Sequence, residues 1–262
     1  MQEIEFKFQV PVKKRKALQK AFTLLKAEPI HLAAQYFDTA DQTLAKHCIA
    51  IRRRQENDEW KQTFKAVNTA KVLSRLELEF DIAPPETTTL DLDNYKKDYS
   101  AIYKKLKRAL GLPLPTLELL FETNIQRLRV LQDVGNSTVE IALDIGKIFK
   151  EQNSVDIFEI EFELKQGSIE DLIAFIRPWV QKYQLSLDTH SKSDYGLLAV
   201  RQQSSFSAQY QTPLVLNRSS SEVEALQSIV ANCLQHLLPN ASSIARQQYS
   251  SEHIHQVRVA IR

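Results

Sequence analysis

Three glutamates occupy alternate positions in Phe158-Glu159-Ile160-Glu161-Phe162-Glu163-Leu164. A strand has a side-chain period of two, so all three share one face and the apolar residues share the other. Like charges at neighbouring positions of one face repel, so a row of three carboxylates costs stability unless a cation sits among them. The mirror case is Arg52 and Arg54. The same segregation recurs in Glu3/Glu5/Lys7, Lys61/Thr63/Lys65, Arg75/Glu77/Glu79, Arg127/Arg129 and Glu140/Ala142/Asp144. Clustered carboxylates bind a hard divalent cation such as Mg²⁺ or Mn²⁺ through oxygen. Arginine grips phosphate oxygens as a fork and lysine as a point charge. A surface carrying both suits a metal–polyphosphate complex, and phosphoryl transfer needs little beyond positioning, charge neutralisation and an activated water.

The elements that must hold these residues follow from hydrophobic periodicity. Strands are expected at Glu3–Phe8, Ala34–Thr39, Cys48–Gln55, Glu59–Val67, Arg75–Ile82, Thr138–Lys150 and Val155–Lys165, with Leu117–Asp133 as a strand pair or one long bent strand. Cys48–Gln55 and Glu59–Val67 form a hairpin across Glu56-Asn57-Asp58. Amphipathic helices are expected at Val12–Lys26, Tyr95–Leu110 and Ile169–Leu185, the last with a kink at Pro178. One face of each strand is apolar and needs covering, and the three helices can cover it from outside. The economical arrangement is an α+β fold: a closed eight-stranded antiparallel β-barrel, charged within, acidic strands facing basic ones across one lumen, helices packed outside, and a short all-α segment at the C-terminal end. Residues 1–200 would form this tunnel domain and 201–221, polar and Ser/Gln-rich, a linker. Residues 222–262 would be the first helices of a further, truncated domain.

Composition bounds the function without naming it. The 262 residues are 43% hydrophobic and 25% charged, ordinary for a globular protein. The formal net charge is only +2, which gives no electrostatic pull toward nucleic acid. No apolar run spans a bilayer and the N-terminus carries no apolar signal segment. Two cysteines, Cys48 and Cys233, lie far apart, so a reducing, cytoplasmic setting is expected. Only five glycines occur and no glycine-rich phosphate loop is present, so any phosphate is bound by side chains.

With these residues in order, Glu3-x-Glu5-x-Lys7 resembles the ExExK signature of CYTH domains, the triphosphate tunnel metalloenzymes. Arg52-x-Arg54, Lys65, Arg75-x-Glu77-x-Glu79, Arg127, Glu140-x-Ala142-Leu143-Asp144 and Glu159-x-Glu161-x-Glu163 fall in the family's order. Ser191-Lys192 followed by Tyr195 resembles its closing element. The stretch Glu252 to Arg262 is similar to the opening of a CHAD domain, a helical module that often follows. The resemblance covers roughly residues 1–200. It implies a closed eight-stranded tunnel that hydrolyses triphosphate with Mg²⁺ or Mn²⁺, closest to bacterial CYTH–CHAD inorganic triphosphatases. It implies that Glu3, Glu5, Glu161 and Glu163 hold metal with Asp144 and Glu159 near it, and that Glu77 and Glu79 position a second metal or orient the basic residues. Lys7, Arg52, Arg54, Lys65, Arg75, Arg127 and Lys192 would grip phosphate oxygens and serve catalysis.

Lys61 reads as a solvated strand-end lysine, and Arg129 is left open. His31, His47, His190 and His236 lack partners at ligand spacing and read as structural or surface residues. His253 and His255, two apart on a helix, do not face each other. Two other functions remain in view: an adenylate cyclase or a thiamine or nucleoside triphosphatase on the same barrel, and a non-catalytic polyphosphate-binding module. An organic substrate needs a recognition surface, for which Tyr36, Trp60 and Tyr195 are the candidates. The partner expected on charge grounds is inorganic triphosphate or a related polyphosphate, with no nucleic acid and no membrane; the oligomeric state stays open.

Overall fold

The computed structural model describes residues 4–67, 75–92, 95–96, 99–216 and 219–262, with the side chains of Val67 and Arg75 also left out. Glu3 lies outside the described residues. Arg75 is placed only by its backbone, paired with Val67 at the start of its strand.

The chain runs β1 (Glu5–Gln9), α1 (Val12–Leu24), β2 (Glu28–Asp38), α2 (Thr43–Lys46), β3 (Ile49–Glu56), β4 (Glu59–Val67), β5 (Arg75–Ile82), β6 (Thr89–Leu90) and α3 (Ser100–Leu110). It continues through β7 (Leu117–Val134), β8 (Ser137–Lys150), β9 (Asn153–Gln166), α4 (Ile169–Tyr183), β10 (Ser186–Leu187), α5 (Lys192–Val200), α6 (Glu222–Ala245) and α7 (Ser251–Ala260). The segment Leu117–Val134 is a single strand, not a pair. Tyr95 and Lys96 are helical as expected, and α3 runs from Ser100 to Leu110. Pro178 lies inside α4 without ending it.

Among the described residues, the strands form one antiparallel sheet of ten, ordered β10-β1-β9-β8-β7-β2-β3-β4-β5, with β6 on β7. Two expectations are corrected here. The sheet has ten strands rather than eight, because the two-residue pieces β6 and β10 join the eight long ones. The sheet is also open: among the described residues, β5 pairs with β4 alone. Closure would require β5 to bond to β1. The free edge of β1 is instead taken by β10, through Phe8 opposite Leu187 and Gln9 opposite Ser186. The sheet still curls far enough for side chains of β1 and β5 to line one cavity of about 550 Å³.

The apolar faces are covered from outside as their periodicity requires. Leu18 and Phe22 of α1 and Leu172 and Ile176 of α4 bury against Ile141, Leu143, Ile160 and Phe162. Phe162 meets Phe8 and Trp179 edge-on, with centroids at 5.9 and 5.7 Å, the arrangement aromatic quadrupoles favour. On the neighbouring wall, Ile102 and Leu106 of α3 cover Ile51 and Phe64.

Helix α5 breaks this scheme. It packs on the inner face, where Tyr195 and Leu198 join Tyr36, Phe121, Ile125, Ile148 and Ile157 in a third apolar cluster. The inner face is therefore charged along part of its length and apolar along the rest, and α5 fills the apolar part. Gly196 makes this approach feasible, since a Cβ there would run into the Phe121 ring.

Candidate active site

The acidic wall is built by β1, β8 and β9. Register places Glu5 opposite Glu163 and Lys7 opposite Glu161. It places Asp144 opposite Glu159 and Glu140 opposite Glu163. Asp144, Glu159 and Glu161 each offer a carboxylate oxygen within 4.8 Å of the others, and all three are buried. Desolvating three carboxylates together requires compensating charge. Lys192, the first residue of α5, supplies it: its Nζ lies 2.7 Å from Asp144 Oδ2 and 2.8 Å from Glu161 Oε1, and also contacts Glu159. Arg127 forks onto Asp144 with both N–O distances at 2.7 Å and also donates to Glu161. Lys7 lies 3.3 Å from Glu159 and donates to the His190 carbonyl. Lys165 reaches Glu163 at 2.7 Å and Glu140 at 3.5 Å. The row of glutamates thus has a cation at every step.

Ionisation here is set by burial against pairing. Burial opposes charge on Lys192, and Asp144, Glu159 and Glu161 more than offset it, holding its pKa well above the lysine range. Burial likewise disfavours the Glu161 carboxylate, but Lys192 and Arg127 hold it well below the usual range. Arg127 and Asp144 shift in the corresponding directions, up and down.

The basic wall is β3 and β4, flanked by β5. Register sets Lys65 opposite Glu77 and Thr63 opposite Glu79, and Lys65 Nζ reaches Glu77 at 2.9 Å. Arg54 lies 3.2 Å from Glu79 and 3.3 Å from Glu56. Arg52 differs: its guanidinium bonds to two hydroxyls, Tyr36 at 3.2 Å and Thr63 at 3.3 Å. The acidic wall of β1, β9 and β8 and the basic wall of β3 and β4 thus line one cavity, and opposite charges also meet on neighbouring strands where basic β7 pairs with acidic β8 and basic β4 with acidic β5. Opposite charges on directly paired strands are within contact distance, which favours this order.

Of the residues singled out by sequence, Glu5, Lys7, Arg52, Arg54, Lys65, Glu77, Glu79, Arg127, Glu161, Glu163 and Lys192 line the cavity. Asp144 and Glu159 lie just beneath, buried. Glu77 and Glu79 stand on β5, apart from the Asp144 cluster. Lys61 and Arg129 also line the cavity; Lys61 is 3.9 Å from Glu79, so it belongs to the charged lining and not to a solvated strand end.

Asp188 was missed, and only a lone carboxylate in a polar stretch signals it. Its side chain is fully buried, 4.0 Å from Lys7. It accepts from the Tyr195 hydroxyl at 2.7 Å and the His190 amide at 3.0 Å. Burial would raise its pKa, but Lys7 and these hydrogen bonds depress it below the ordinary 3.8. Asp188→Asn is expected to cost about 3 kcal/mol by urea titration at pH 7, because it breaks a buried pair. A depressed carboxylate stabilises above its unfolded pKa and loses that contribution as pH falls. The deficit of the variant should thus be full at pH 7 and shrink below about pH 3.8; a deficit equal at pH 7 and pH 3 would refute the pairing.

Comparison with known proteins agrees with this architecture. Residues 1–194 match the sequence profile of the CYTH domain, and the chain belongs to that family. It is 32% identical over 206 residues to an inorganic triphosphatase of Haemophilus influenzae, covering 76% of this chain and 55% of that protein. The chain thus spans about half the length of that curated relative. A Hippeastrum protein described as a candidate adenylyl cyclase with a dominant triphosphatase activity shares the fold at TM-score 0.53 and 19% identity, over 77% of this chain and 96% of its own. A candidate adenylate cyclase from Bacillus halodurans does so at TM-score 0.50 and 21% identity, over 72% and 94%. Among the described residues, no helix is long and apolar enough to cross a membrane.

Proposed function

We propose that this chain hydrolyses inorganic triphosphate to diphosphate and phosphate in the charged cavity, with Mg²⁺ or Mn²⁺. The observation that carries the reading is the convergence of Lys7, Arg52, Arg54, Lys65, Arg127 and Lys192, from five separate elements, on one cavity that also presents carboxylates. The donor set, wholly carboxylate oxygen, fits a hard divalent cation. Asp144 and Glu159 are buried beneath the cavity while Glu5, Glu161 and Glu163 line it, so these three are the first choice of ligands, with Glu3 of the same motif. Bound there, the ion would neutralise triphosphate oxygens and acidify an attacking water.

The chain's own residues would do the rest. Arg52, held by two hydroxyls, can exchange those hydrogen bonds for phosphate oxygens. Arg54 and Lys65 would grip the chain of phosphates while Glu77, Glu79 and Glu56 hold them in place. Arg127, fixed against the acidic wall, would neutralise charge developing on the leaving diphosphate, and Lys192 beside it would grip phosphate oxygens. The relative named an inorganic triphosphatase supports this reading. So does the position of the aromatics. Tyr36 lines the cavity, but its ring is stacked on Phe121 and its hydroxyl is bonded to Arg52; Tyr195 is fully buried, and Trp60 lies on the face opposite Lys61. We read α6 and α7 as the opening of a CHAD domain.

The test is phosphate release from triphosphate, ATP and thiamine triphosphate with Mg²⁺, alongside cyclic AMP formation. Triphosphate should be preferred; preference for an organic triphosphate, or cyclase activity, would replace the assignment. Polyphosphate binding with no turnover would make the cavity a binding module. Arg54→Ala should raise KM for triphosphate roughly tenfold with a smaller effect on kcat. An unaltered KM would remove Arg54 from the substrate grip.

A further inference from the structure

Lys7 and Lys192 owe their positions to one short segment. Asp188 N–H donates to the Lys7 carbonyl at 2.8 Å. The His190 carbonyl accepts from Lys7 Nζ. Ser191 caps α5, accepting from Asp194 N–H at 3.1 Å while Asp194 accepts from Ser191 N–H at 2.7 Å. Lys192 follows directly. This segment is held from behind by residues beyond the family-matched 1–194.

Three side chains do the holding. Ser242 of α6, fully buried, accepts from Thr189 N–H at 3.2 Å, and its one hydroxyl proton lies between the Leu238 carbonyl at 2.9 Å and the Leu187 carbonyl at 3.1 Å. The Ser242 carbonyl accepts from the Gln9 amide at 3.1 Å, and Gln9 shares the strand face of Lys7. Phe206 lies flat on the His190 ring, with centroids 3.9 Å apart and planes within 3°. Arg246, at the end of α6, sits over the Tyr195 ring at 4.2 Å and donates to the Asp156 carbonyl on β9 at 2.8 Å. Tyr195 in turn donates to Asp188.

We propose that the linker and α6 are a working part of the active site: Phe206, Ser242 and Arg246 act as positioning residues that lock the Asp188–Lys192 segment and so set Lys7 and Lys192 against the triphosphate. The inference rests on the proposed triphosphate reading of the cavity. None of the three residues touches substrate. Their effect passes through the two lysines that grip phosphate, so it falls on substrate affinity before the chemical step.

The experiment compares wild type, Arg246→Ala, Arg246→Lys, Phe206→Ala and, as a control on α7, the exposed Arg258→Ala. Arg246→Ala and Phe206→Ala should raise KM for triphosphate about tenfold with kcat within about twofold, the signature of lost positioning on a binding group. Arg246→Lys keeps a cation over the ring and should stay within about threefold of wild type. Arg258→Ala should match wild type. A fall in Tm with unchanged KM and kcat in both Arg246→Ala and Phe206→Ala would make the clamp purely structural and overturn the inference. If wild type binds triphosphate without hydrolysing it, the hydrolase reading fails, and the clamp is read from calorimetric Kd instead. A tenfold weakening in Arg246→Ala then supports it and equal affinity overturns it. A wild-type chain that neither binds nor hydrolyses triphosphate overturns both.

Discussion

Replacing Lys192 with methionine is expected to lower kcat/KM for triphosphate at least a hundredfold and to destabilise the fold by about 3–5 kcal/mol. Lys192 Nζ touches Asp144, Glu159 and Glu161 together, and Asp144 and Glu159 are almost wholly screened from water. Without the ammonium, three carboxylates share two cations, Arg127 and Lys7. Methionine fills the volume but leaves a buried net charge, and removing one member of a buried ionic group costs more than the group contributes when intact. Part of the response will be a rise in the Glu161 pKa toward the ordinary carboxylate value, since Lys192 is the largest of the charges that depress it. The deficit of the variant should therefore shrink as pH falls below about 4.5, where wild type begins to lose the contribution of its depressed Glu161 and the variant has less to lose. Denaturant titrations at pH 4 and 7 with steady-state kinetics check this. A variant as stable and as active as wild type would mean that Lys192 does not organise the acidic wall.

Glu163→Gln should separate activity from stability. The Glu163 side chain is 23% exposed and its partner Lys165 39% exposed, so the pair contributes at most about 1 kcal/mol to folding. Its register partners are Glu5 on β1 and Glu140 on β8, which makes the position a meeting point of carboxylates at the cavity lining. If Glu5, Glu161 and Glu163 hold the divalent ion, one lost carboxylate should raise the metal concentration for half-maximal activity at least tenfold. It should also cut kcat/KM roughly a hundredfold, about 2.7 kcal/mol of transition-state stabilisation. Glu5→Gln should behave alike. Metal titrations of activity decide it: an unshifted metal requirement in both variants would place the ion elsewhere.

These two expectations rest on different parts of what the sequence made legible. The alternation in Glu159-Ile160-Glu161-Phe162-Glu163 was enough to place three carboxylates on one face and to require cations among them, and the structure supplies Lys7, Lys192, Arg127 and Lys165. Strand positions followed for the same reason, since period two is strong wherever one face is apolar. Face, however, does not determine register. Nothing in Glu77 and Lys65 separately shows that they are cross-strand neighbours, so the pairing of acidic β5 with basic β4 was not legible, although the acidic and basic walls do line one cavity. Periodicity also cannot say on which side of a sheet a helix packs. The segment Lys192–Val200 was legible as a motif through Ser191-Lys192 and Tyr195, but not as an inner plug. Its location depends on Gly196 meeting Phe121, a contact between residues 75 positions apart. Sheet closure failed as an expectation because it turned on Ser186 and Leu187, two residues too few to carry a periodic signal. Asp188 was hidden for the same reason.

Metal-dependent hydrolysis of inorganic triphosphate in this cavity is tested most directly by following phosphate release from triphosphate by one preparation of the chain, first with excess EDTA and then with Mg²⁺ or Mn²⁺ restored. No release is expected under chelation and full release on restoring either ion, at a rate abolished by Glu5→Gln combined with Glu163→Gln. Release that persists in EDTA, or that survives the double substitution with an unchanged metal requirement, would contradict it.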